Sequence, residues 1–235
     1  MNKGENQLNS IALIGSNGFV GKSIEKYILN DKNLLVTCVT RENYEEARLG
    51  QDYDILINAA MPSKRFWAKN NPYEDFVETV EKTFKIANDW ESSKIIQISS
   101  ISARSQLNTT YGRHKAAAEK LVAKENNLIL RLGPMYGKLL SKGVLIDLKK
   151  NDPVYVSKES LYSFAPVDWI GKWIWQNMNL SGIIDLGGNN AIKLYDLAKR
   201  IDSKSIFTGP IDNQIISKEI KNGPDSRNVI DFILK

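Results

Sequence analysis

A strand, a glycine-rich turn and a helix follow one another near the start of the chain, and this succession limits the fold more than any other feature. The apolar run SIALI leads into Gly15, Gly18 and Gly21, spaced as G-x-x-G-x-x-G, and the helical pattern KSIEKYILN comes next. Glycine is needed where the backbone turns tightly and where a pyrophosphate approaches without a Cβ in its path. The N–H groups that begin such a helix favour an anion. A plain glycine turn would share the spacing, but its place at the first strand-to-helix connection favours dinucleotide binding.

Apolar runs and helical patterns alternate along the first half of the chain. The runs are LLVTCVT, YDILINAA, KIIQISS and LILRL, and the segments between them have helical spacing at 44–49, 72–90 and 110–124. Such alternation with short connections predicts an α/β fold with a Rossmann-type, doubly wound parallel sheet. On the second of these helices, a stripe predicted to face the core consists of Phe76, Val80, Thr83, Phe84 and Ala87.

Composition argues against several classes of protein. The net charge is +5, but the lysines are dispersed among acidic residues, which indicates a solvated surface that helps attract anionic substrates rather than a nucleic-acid site. A single cysteine, Cys38, excludes an intramolecular disulfide, and one cysteine with one histidine argue against a histidine- or thiolate-rich metal site. The segment MNKGENQLNS lacks the apolar region of a signal, and no run reaches the roughly 18 apolar residues of a spanning helix. We therefore expect a cytoplasmic protein with neither a membrane nor a nucleic-acid partner.

The fourth apolar run ends in serines and is followed by Tyr-x-x-x-Lys. Tyr111 and Lys115 are four residues apart, so on a helix they share one face. A phenol with an ordinary pKa of about 10 is a weak acid–base group at neutral pH, and a fixed ammonium nearby lowers that pKa. Serine hydroxyls at the end of the strand could hold a substrate oxygen beside the phenol. The alternative is an ordinary strand, loop and amphipathic helix whose Tyr and Lys are solvated.

The adenosine ribose of a dinucleotide would be recognised at the strand end formed by Thr40 and Arg41. An acidic residue there favours NAD by binding the 2′-hydroxyl, whereas an arginine accommodates the 2′-phosphate of NADP. Arg41 follows the strand directly and no acid stands at its end, so we predict NADP(H) as the favoured cofactor, with NAD(H) as the other possibility. The next strand ends in Asn58-Ala59-Ala60, where the small side chains let a cofactor pass closely.

Several other segments leave alternatives open. The stretch KRFWAKNNP is too irregular to predict an element, and its Arg65 is interpreted either as part of a pocket for an anionic, ring-bearing substrate or as packing at a sheet edge. Arg131 is either a phosphate ligand or a paired core arginine. His114 lies inside Tyr-x-x-x-Lys but off the shared face, and we treat it as incidental. The tail from Ile211 onward is predicted as a surface segment followed by a closing helix.

Taken together, these motifs resemble those of the extended short-chain dehydrogenase/reductase family, whose members are NAD(P)-dependent sugar-nucleotide epimerases, dehydratases and reductases. The resemblance extends to RLGPMYG at 131–137, SFAPVDWIGKWI at 163–174 and GIIDLGGNNAIKLYDLAKRI at 182–201. It covers roughly residues 10–201 in the family's order.

The resemblance implies a division of the chain into two regions. Residues 1–137 would form the NAD(P)-binding Rossmann core. Residues 138–235 would combine a small C-terminal substrate lobe with the last core strand and helices, at about 163–202. The expected partners are a nucleotide-sugar substrate and a second copy of the chain, in a homodimer packed through the helices that flank the active site.

The resemblance also assigns roles to individual residues. Tyr111 would be the general acid or base at the substrate oxygen, while Lys115 would lower its pKa and bind the nicotinamide ribose. Alignment on the family's Ser-Ser-x-x-Val-Tyr-Gly pattern places Ser100 in the catalytic position, with Ser99 structural and Ser102 nearby. The residues expected to contact the cofactor are Gly15, Asn17, Gly18, Phe19, Val20, Gly21, Arg41, Asn58, Ala59, Ala60, Ser99, Tyr111, Lys115 and Gly133. The residues expected to contact the substrate are Arg65, Ser102, Arg104 and Tyr136, and no metal ligand is expected.

Two departures from the family pattern bear on the site. The family's Val-Tyr-Gly is replaced by Ala103-Arg104-Ser105, and the connection to Tyr111 is short, which implies a more open site. The asparagine that the family has on the helix after the third strand is matched here by Thr79, so the structural hydrogen bond of that asparagine is in doubt.

Three functions are compatible with these features. We favour an oxidoreductase that reduces the 4-keto group of a nucleotide-activated sugar, because Arg41 suits an exchanging NADP(H). A sugar-nucleotide 4-epimerase that retains NAD is the neighbouring hypothesis, whereas the lack of an acidic residue just after Ser100 argues against a dehydratase. A catalytically silent NADP(H)-binding sensor or assembly subunit is the third hypothesis, and the intact serine, tyrosine and lysine argue against it.

Overall fold

The computed structural model describes residues 10–91 and 93–235. The polar segment MNKGENQLNS, in which we predict no targeting signal, lies outside these residues except for Ser10. Within the described residues the strands are β1 (Ser10–Ile14), β2 (Leu35–Val39), β3 (Ile55–Asn58), β4 (Lys94–Ser100), β5 (Leu128–Leu132), β6 (Met135–Tyr136), β7 (Leu161–Tyr162), β8 (Ala165–Pro166), β9 (Gly182–Leu186) and β10 (Ile192–Lys193).

The helices follow the strands in the alternation that the sequence predicts. They are α1 (Phe19–Ile28), α2 (Tyr44–Gly50), α3 (Arg65–Asn70), α4 (Pro72–Phe76), α5 (Lys82–Asp89), α6 (Ser102–Ser105), α7 (Thr110–Leu121), α8 (Val144–Lys150), α9 (Val167–Gln176), α10 (Leu194–Arg200) and α11 (Val229–Leu234). A π-helical turn, Val77–Glu81, joins α4 to α5, and a 3-10 turn, Ser226–Asn228, precedes α11.

Six parallel strands form the main sheet in the order β2-β1-β3-β4-β5-β9. The chain steps outward from β1 to β2 and then returns to the other side of β1 as β3. The winding direction therefore reverses between β1 and β3, which confirms the predicted Rossmann-type, doubly wound α/β fold. In such a sheet, ligands bind beyond the carboxyl ends of the strands at the point of reversal.

Both faces of the central strands are apolar because helices cover both. In β1, Ile11 and Leu13 belong to one apolar cluster, whereas Ala12 and Ile14 belong to another, as the two-residue period of a strand requires. Helices α1 and α9 complete the first cluster, and α2 and α5 complete the second. Full burial of each isoleucine or leucine contributes about 1.5–3 kcal/mol.

The third glycine of the turn has a packing role. A Cβ at Gly21 would lie 1.9 Å from the carbonyl oxygen of Gly15. Helix α1 therefore packs directly onto the turn that precedes it, and any side chain at this position would push the helix away from β1.

A third apolar cluster forms outside the main sheet. Its members run from Tyr136 on β6 to Ile233 on α11, and the short strand pairs β6–β8 and β7–β10 lie in the same part of the chain. The boundary between residues 137 and 138 stays a prediction.

The stripe predicted to face the core on α4 and α5 is wrong at two positions. Phe76 and Phe84 are exposed, whereas Asp75, Thr79 and Thr83 are buried. The helix formed by α4, the π-helical turn and α5 packs against α7. The face of this helix that meets α7 is polar because α7 carries the polar groups described below.

Two segments are more ordered than the sequence predicts. The stretch KRFWAKNNP, predicted to be irregular, contains α3 (Arg65–Asn70) and ends at the first residue of α4. The tail beyond Ile211 is not a surface segment throughout, because Asp212, Gln214 and Ile216 are buried, and Gln214 forms a β-bridge with Tyr162. The predicted closing helix is α11.

Within residues 10–91 and 93–235, no helix combines the length and apolarity needed to cross a bilayer. No cluster of three or more His, Cys, Asp or Glu side chains there is arranged to hold a metal ion.

Candidate active site

The glycine turn closes against the end of β3. Gly15 has a φ of +87°, and a Cβ there would lie 2.8 Å from the backbone of Ala59 and Ala60. Gly18 N donates to Gly15 O at 3.0 Å, and Gly18 begins α1 without a side-chain capping bond. The first N–H groups of a helix have no intrahelical acceptor, so those of α1 are available to an anion.

A cleft of about 570 Å³ opens beside this turn. It runs along the ends of β1, β2 and β3 to α2 and α5. Five of the predicted cofactor residues line it: Gly15, Asn17, Arg41, Asn58 and Ala60. Ile14 and Ser16, the neighbours of Gly15 in sequence, line it as well. The position of the cleft at the point of sheet reversal, with no Cβ obstructing the turn, fits the adenosine diphosphate half of a dinucleotide.

Arg41 extends into solvent at the mouth of this cleft. Its side chain is 86% exposed, and its guanidinium lies 4.0 Å from the Glu78 carboxylate. Glu42 and Glu45 also line the cleft. Arg41 is thus free to meet a 2′-phosphate, while the two carboxylates offer acceptors to a 2′-hydroxyl.

Asn58 fixes the end of β3. It is buried, its Nδ2 donates to Gln97 Oε1 at 3.0 Å, and its Oδ1 accepts from Ala60 N at 3.2 Å. These bonds hold the small residues of the strand end against the glycine turn, at the wall of the cleft.

Three other predicted cofactor residues have packing partners inside the protein. Val20 packs against the apolar cluster beneath α1. Gly133 N donates to the carbonyl of Leu186 at 2.9 Å, and a Cβ at Gly133 would lie 3.0 Å from a neighbouring backbone oxygen. The ring of Phe19 lies beside Gly137. The cofactor contacts of Phe19, Val20 and Gly133 stay predictions.

The three candidate serines have different surroundings. Ser99 is buried, and its Oγ donates to Glu119 Oε1 at 2.6 Å. Ser102 is fully buried. Ser100 Oγ accepts from Ser102 N at 3.2 Å, and of the three serines only Ser100 lowers the pKa of the Tyr111 phenol. Ser100 thus has the surroundings expected of the catalytic serine, although its role stays a prediction.

Arg131 is the paired core arginine of the two alternatives considered above. Its Nε lies 3.0 Å from Glu119 Oε1, and its Nη2 lies 2.6 Å from Glu119 Oε2. This two-point pairing raises the pKa of Arg131 and fixes the Glu119 carboxylate below Ser99.

Tyr111 is buried in the first turn of α7. Burial raises the pKa of its phenol, because the charged phenolate loses its solvation. The charge of Arg65 and a hydrogen bond from Ser100 lower that pKa, whereas the charge of Asp75 raises it. Burial therefore favours the protonated phenol, while Arg65 and Ser100 favour its ionised form.

Lys115 lies one turn further along α7, with Nζ 5.4 Å from the centroid of the Tyr111 ring. It is 3% exposed. Burial lowers its pKa to about 7, and the carboxylates of Asp75 and Glu119 oppose that shift. Lys115 is thus close to losing its charge at neutral pH.

Asp75 is a buried carboxylate that no sequence pattern singles out. Its Oδ2 lies 2.7 Å from His114 Nδ1, and its Oδ1 has no hydrogen-bond partner among the described residues. His114 is therefore a partner of Asp75 and not incidental. The hydroxyl of Thr79, one turn away, likewise has no hydrogen-bond partner among the described residues, so Thr79 does not replace the structural hydrogen bond of the family's asparagine there.

Arg65 begins α3, and its guanidinium pairs with Asp212. Asp212 is buried, and the Tyr162 hydroxyl donates to the same carboxylate at 2.8 Å. The tail of the chain thus reaches Arg65, one of the candidate site residues. Sequence reasoning missed Asp212, because the segment around it was interpreted as surface.

The other two predicted substrate residues, Arg104 and Tyr136, have partners within the protein. Arg104 Nη2 donates to Asp185 Oδ2 at 2.9 Å and to the carbonyl of Ile215 at 2.8 Å. Tyr136 is buried, and its ring packs 5.1 Å from that of Phe232. The substrate contacts of Arg104 and Tyr136 stay predictions.

No protein-family profile and no curated protein matches the chain. Solved structures of sugar-nucleotide enzymes do match it. A dTDP-4-dehydrorhamnose reductase from Bacillus anthracis, solved with NADP, is 15% identical with a TM-score of 0.76 over 98% of this chain and 99% of that one. One from Clostridium acetobutylicum is 15% identical with a TM-score of 0.77 over 95% and 98%.

An epimerase has a similar structure. The UDP-glucose 4-epimerase of Thermotoga maritima, solved with UDP-glucose, is 14% identical, with a TM-score of 0.66 over 91% of this chain and 90% of that one. At these identities the likeness establishes the fold. The fold implied by the family resemblance is therefore confirmed over almost the whole chain.

Replacing Lys115 by methionine should stabilise the fold at neutral pH. The pKa of Lys115 is about 7 in the folded chain and 10.5 for an unperturbed lysine, so unfolding takes up a proton between these values. Wild-type stability should therefore rise with pH across that window as the burial penalty disappears. Urea unfolding should show Lys115→Met to be more stable than wild type at pH 7 by on the order of 1–4 kcal/mol, from about 1.4 kcal/mol per pKa unit.

The matched control is Lys120→Met, which removes an exposed lysine from the same helix. It should change stability little at any pH. If Lys115→Met were more stable than wild type by the same amount above pH 10.5, the buried charge of Lys115 would not be what destabilises the wild type.

Proposed function

We propose that the chain is an NAD(P)-dependent oxidoreductase of the extended short-chain dehydrogenase type that reduces the 4-keto group of a nucleotide-activated sugar. The observation that carries the proposal is the meeting of Ser100, Tyr111 and Lys115 at the end of β4, on the same sheet edge as the glycine turn and its cleft. The solved structures support it, since two similar folds are dTDP-4-dehydrorhamnose reductases. The cytoplasmic location expected from the sequence belongs to the same proposal.

The proposed reaction divides between cofactor and protein. When bound, a nicotinamide supplies the hydride that adds to the substrate's carbonyl carbon. Tyr111 gives its phenolic proton to the carbonyl oxygen, which Ser100 holds by a hydrogen bond, so the ketone becomes an alcohol and the phenol a phenolate. Burial of Tyr111 keeps it protonated until that transfer, and Lys115 binds the nicotinamide ribose, as the family resemblance implies.

NADP(H) is the favoured cofactor in this proposal. The uncapped start of α1 would take the diphosphate, and Arg41 would take the 2′-phosphate. One observation favours the alternative, a 4-epimerase that retains NAD: Glu42 and Glu45 line the same cleft. A silent NADP(H)-binding sensor has no comparable observation in its favour.

The proposal includes a homodimer through the exposed face of α3, α4 and α5. Phe66, Tyr73, Phe76 and Phe84 project from these helices with 43–73% of each side chain exposed. Aromatic side chains of this size contribute strongly to protein interfaces when they are covered. Sedimentation equilibrium should give twice the 26.5 kDa chain mass.

A negative charge introduced on this face should dissociate the dimer. Phe84→Glu should weaken the dimer, while Leu49→Glu, at a more exposed apolar position on α2, should leave it intact. A wild-type protein that sediments as a monomer at all concentrations would contradict the homodimer.

Removing the phenolic hydroxyl should abolish reduction without affecting cofactor binding. We expect Tyr111→Phe to lower kcat for NADPH oxidation with a 4-keto-sugar nucleotide by about 10²–10⁴-fold, the usual contribution of a positioned acid, and to leave the Kd for NADPH nearly unchanged. Tyr53→Phe, at a buried tyrosine that packs on Trp90 away from the site, is the control. Unchanged turnover in Tyr111→Phe would refute the role of the phenol, and tight NADPH binding without any wild-type turnover would favour the sensor.

Truncating Arg41 should reverse the cofactor preference. We expect wild type to bind NADPH more tightly than NADH, and Arg41→Ala to lose roughly 1.5–3 kcal/mol of NADPH binding, the scale of a hydrogen bond to a charged group, with little change for NADH. Fluorescence titration with each cofactor measures both constants, and Arg113→Ala at an exposed arginine of α7 is the control. Equal affinities of the wild-type protein for NADPH and NADH would contradict the predicted preference for NADP(H).

A further inference from the structure

We propose that Glu78 is a specificity-determining residue of the cofactor cleft: its carboxylate lies between Arg41 and Lys82, in the place that a phosphate on the adenosine 2′-oxygen takes when it binds. This assignment rests on the proposed function for the binding of NADP(H) in the cleft. It adds Lys82 as a second cation for the 2′-phosphate, and it makes Glu78 the group that this phosphate displaces.

Two cations from different parts of the chain meet at one carboxylate oxygen. The guanidinium of Arg41, just after β2, lies 4.0 Å from Glu78 Oε2. The ammonium of Lys82, the first residue of α5, pairs with the same Oε2. All three side chains line the cleft. The position between the two cations therefore favours an anion, and a phosphate monoester, with a charge of about −1.5 to −2 at pH 7, suits it better than a carboxylate.

The π-helical turn directs both side chains to the cleft. Thr79 and Thr83 are buried, and Glu78 and Lys82 each precede one of them by one residue. Residues four apart on a helix are neighbours on its surface, so Glu78 and Lys82 share a face beside the buried one. That face forms the wall of the cleft opposite Arg41. Turns of this kind occur frequently at functional sites.

Glu78 also has a place to which its carboxylate can move. It lines a second hollow of about 580 Å³, whose other walls include Lys64, Trp67 and Tyr73. The Glu78 side chain is 35% exposed, so rotation about its side-chain bonds can carry the carboxylate from the cleft into this hollow. The charge of Lys64 favours it there. A phosphate can thus take the position beside Arg41 without leaving the carboxylate buried.

Two other charged groups of the cleft have partners away from Arg41. Glu45 pairs with Arg48 at 2.6 Å, and Lys85 pairs with Asp89. A ribose with a free 2′-hydroxyl brings no charge and leaves the ion pairs of Glu78 in place. A 2′-phosphate is attracted by both cations and repelled by Glu78. Removing the charge of Glu78 should therefore affect only ligands that carry the 2′-phosphate.

The experiment measures the binding of three adenosine nucleotides, without substrate or turnover. Isothermal titration calorimetry gives the Kd of adenosine 2′,5′-bisphosphate, of adenosine 3′,5′-bisphosphate, which has the same charge, and of 5′-AMP. We expect wild type to bind the 2′,5′-bisphosphate most tightly. Glu78→Gln should bind it about five- to tenfold more tightly than wild type, the scale of removing one like charge at a partly exposed site, with 5′-AMP nearly unchanged.

Lys82→Gln should act in the opposite direction. It removes one cation and leaves Glu78 beside Arg41, so the Kd for the 2′,5′-bisphosphate should rise by about fivefold or more, again with little change for 5′-AMP. An i,i+4 pair of this exposure contributes little to stability, so both variants should melt close to wild type.

The matched controls change the same charges outside the cleft. Glu81→Gln removes an exposed carboxylate from the same π-helical turn, and Lys120→Gln removes an exposed ammonium from α7. Each should leave the three Kd values nearly unchanged, because neither side chain lines the cleft.

Three results would overturn the proposal. The first is an affinity of Glu78→Gln for the 2′,5′-bisphosphate that does not exceed that of wild type. The second is equal binding of the two bisphosphates by wild type, since net charge would then explain the preference. The third is weaker binding of 5′-AMP by Glu78→Gln, which would make Glu78 an acceptor for a ribose hydroxyl.

The proposed reduction can fail separately. If the nucleotide affinities change as expected in a protein that turns over no keto-sugar nucleotide, the roles of Glu78 and Lys82 are upheld and the proposed reductase is not.

Discussion

The burial of Tyr111 and Lys115 is the constraint on which the candidate site depends. Removal from water favours the neutral form of each group, so the pKa of the phenol rises and that of the ammonium falls. A site that moves a proton through this phenol must therefore contain charges fixed nearby. Arg65, Asp75 and Glu119 are those charges, and each comes from a different helix.

The fold explains how these charges reach one place. Parallel strands end at the same edge of the sheet, so the serines of β4 and the glycine turn after β1 lie at that edge by topology alone. Helix α7 begins close to the loop before it, since a Cβ at Gly112 would lie 2.1 Å from Gln106 O. The glycine directly after Tyr111 is thus required by packing, and it lets the loop that binds Asp212 also fix the start of α7.

Features that depend on short stretches of sequence were predictable. The alternation of apolar runs gives the doubly wound sheet, and the spacing of Gly15, Gly18 and Gly21 gives the turn, because each follows from local periodicity or backbone geometry. The relation of Tyr111 to Lys115 needs only a helical repeat. Ser100 could be selected over Ser99 and Ser102 only by alignment on the family's serine pattern. Its surroundings in the structure agree with that selection.

What the sequence did not reveal depends on distant pairs and buried polar groups. Arg65 and Asp212 are 147 residues apart, and no local pattern connects them. Asp75 was passed over because a carboxylate on a helix is expected to face solvent, and the apolar stripe drawn through Phe76 followed the same expectation. In both cases polar side chains are buried where apolar ones are expected, because they face the polar groups of α7.

The proposed function requires this site to transfer a hydride to a sugar carbonyl while Tyr111 supplies the proton. The most direct test is to incubate the protein with NADPH carrying deuterium at C4, using each of the two diastereomers, and a 4-keto-sugar nucleotide, and then to measure the mass of the product. The account predicts a reduced sugar with one deuterium at C4 from one diastereomer and none from the other. Unreduced substrate with both diastereomers, despite bound NADPH, would contradict it.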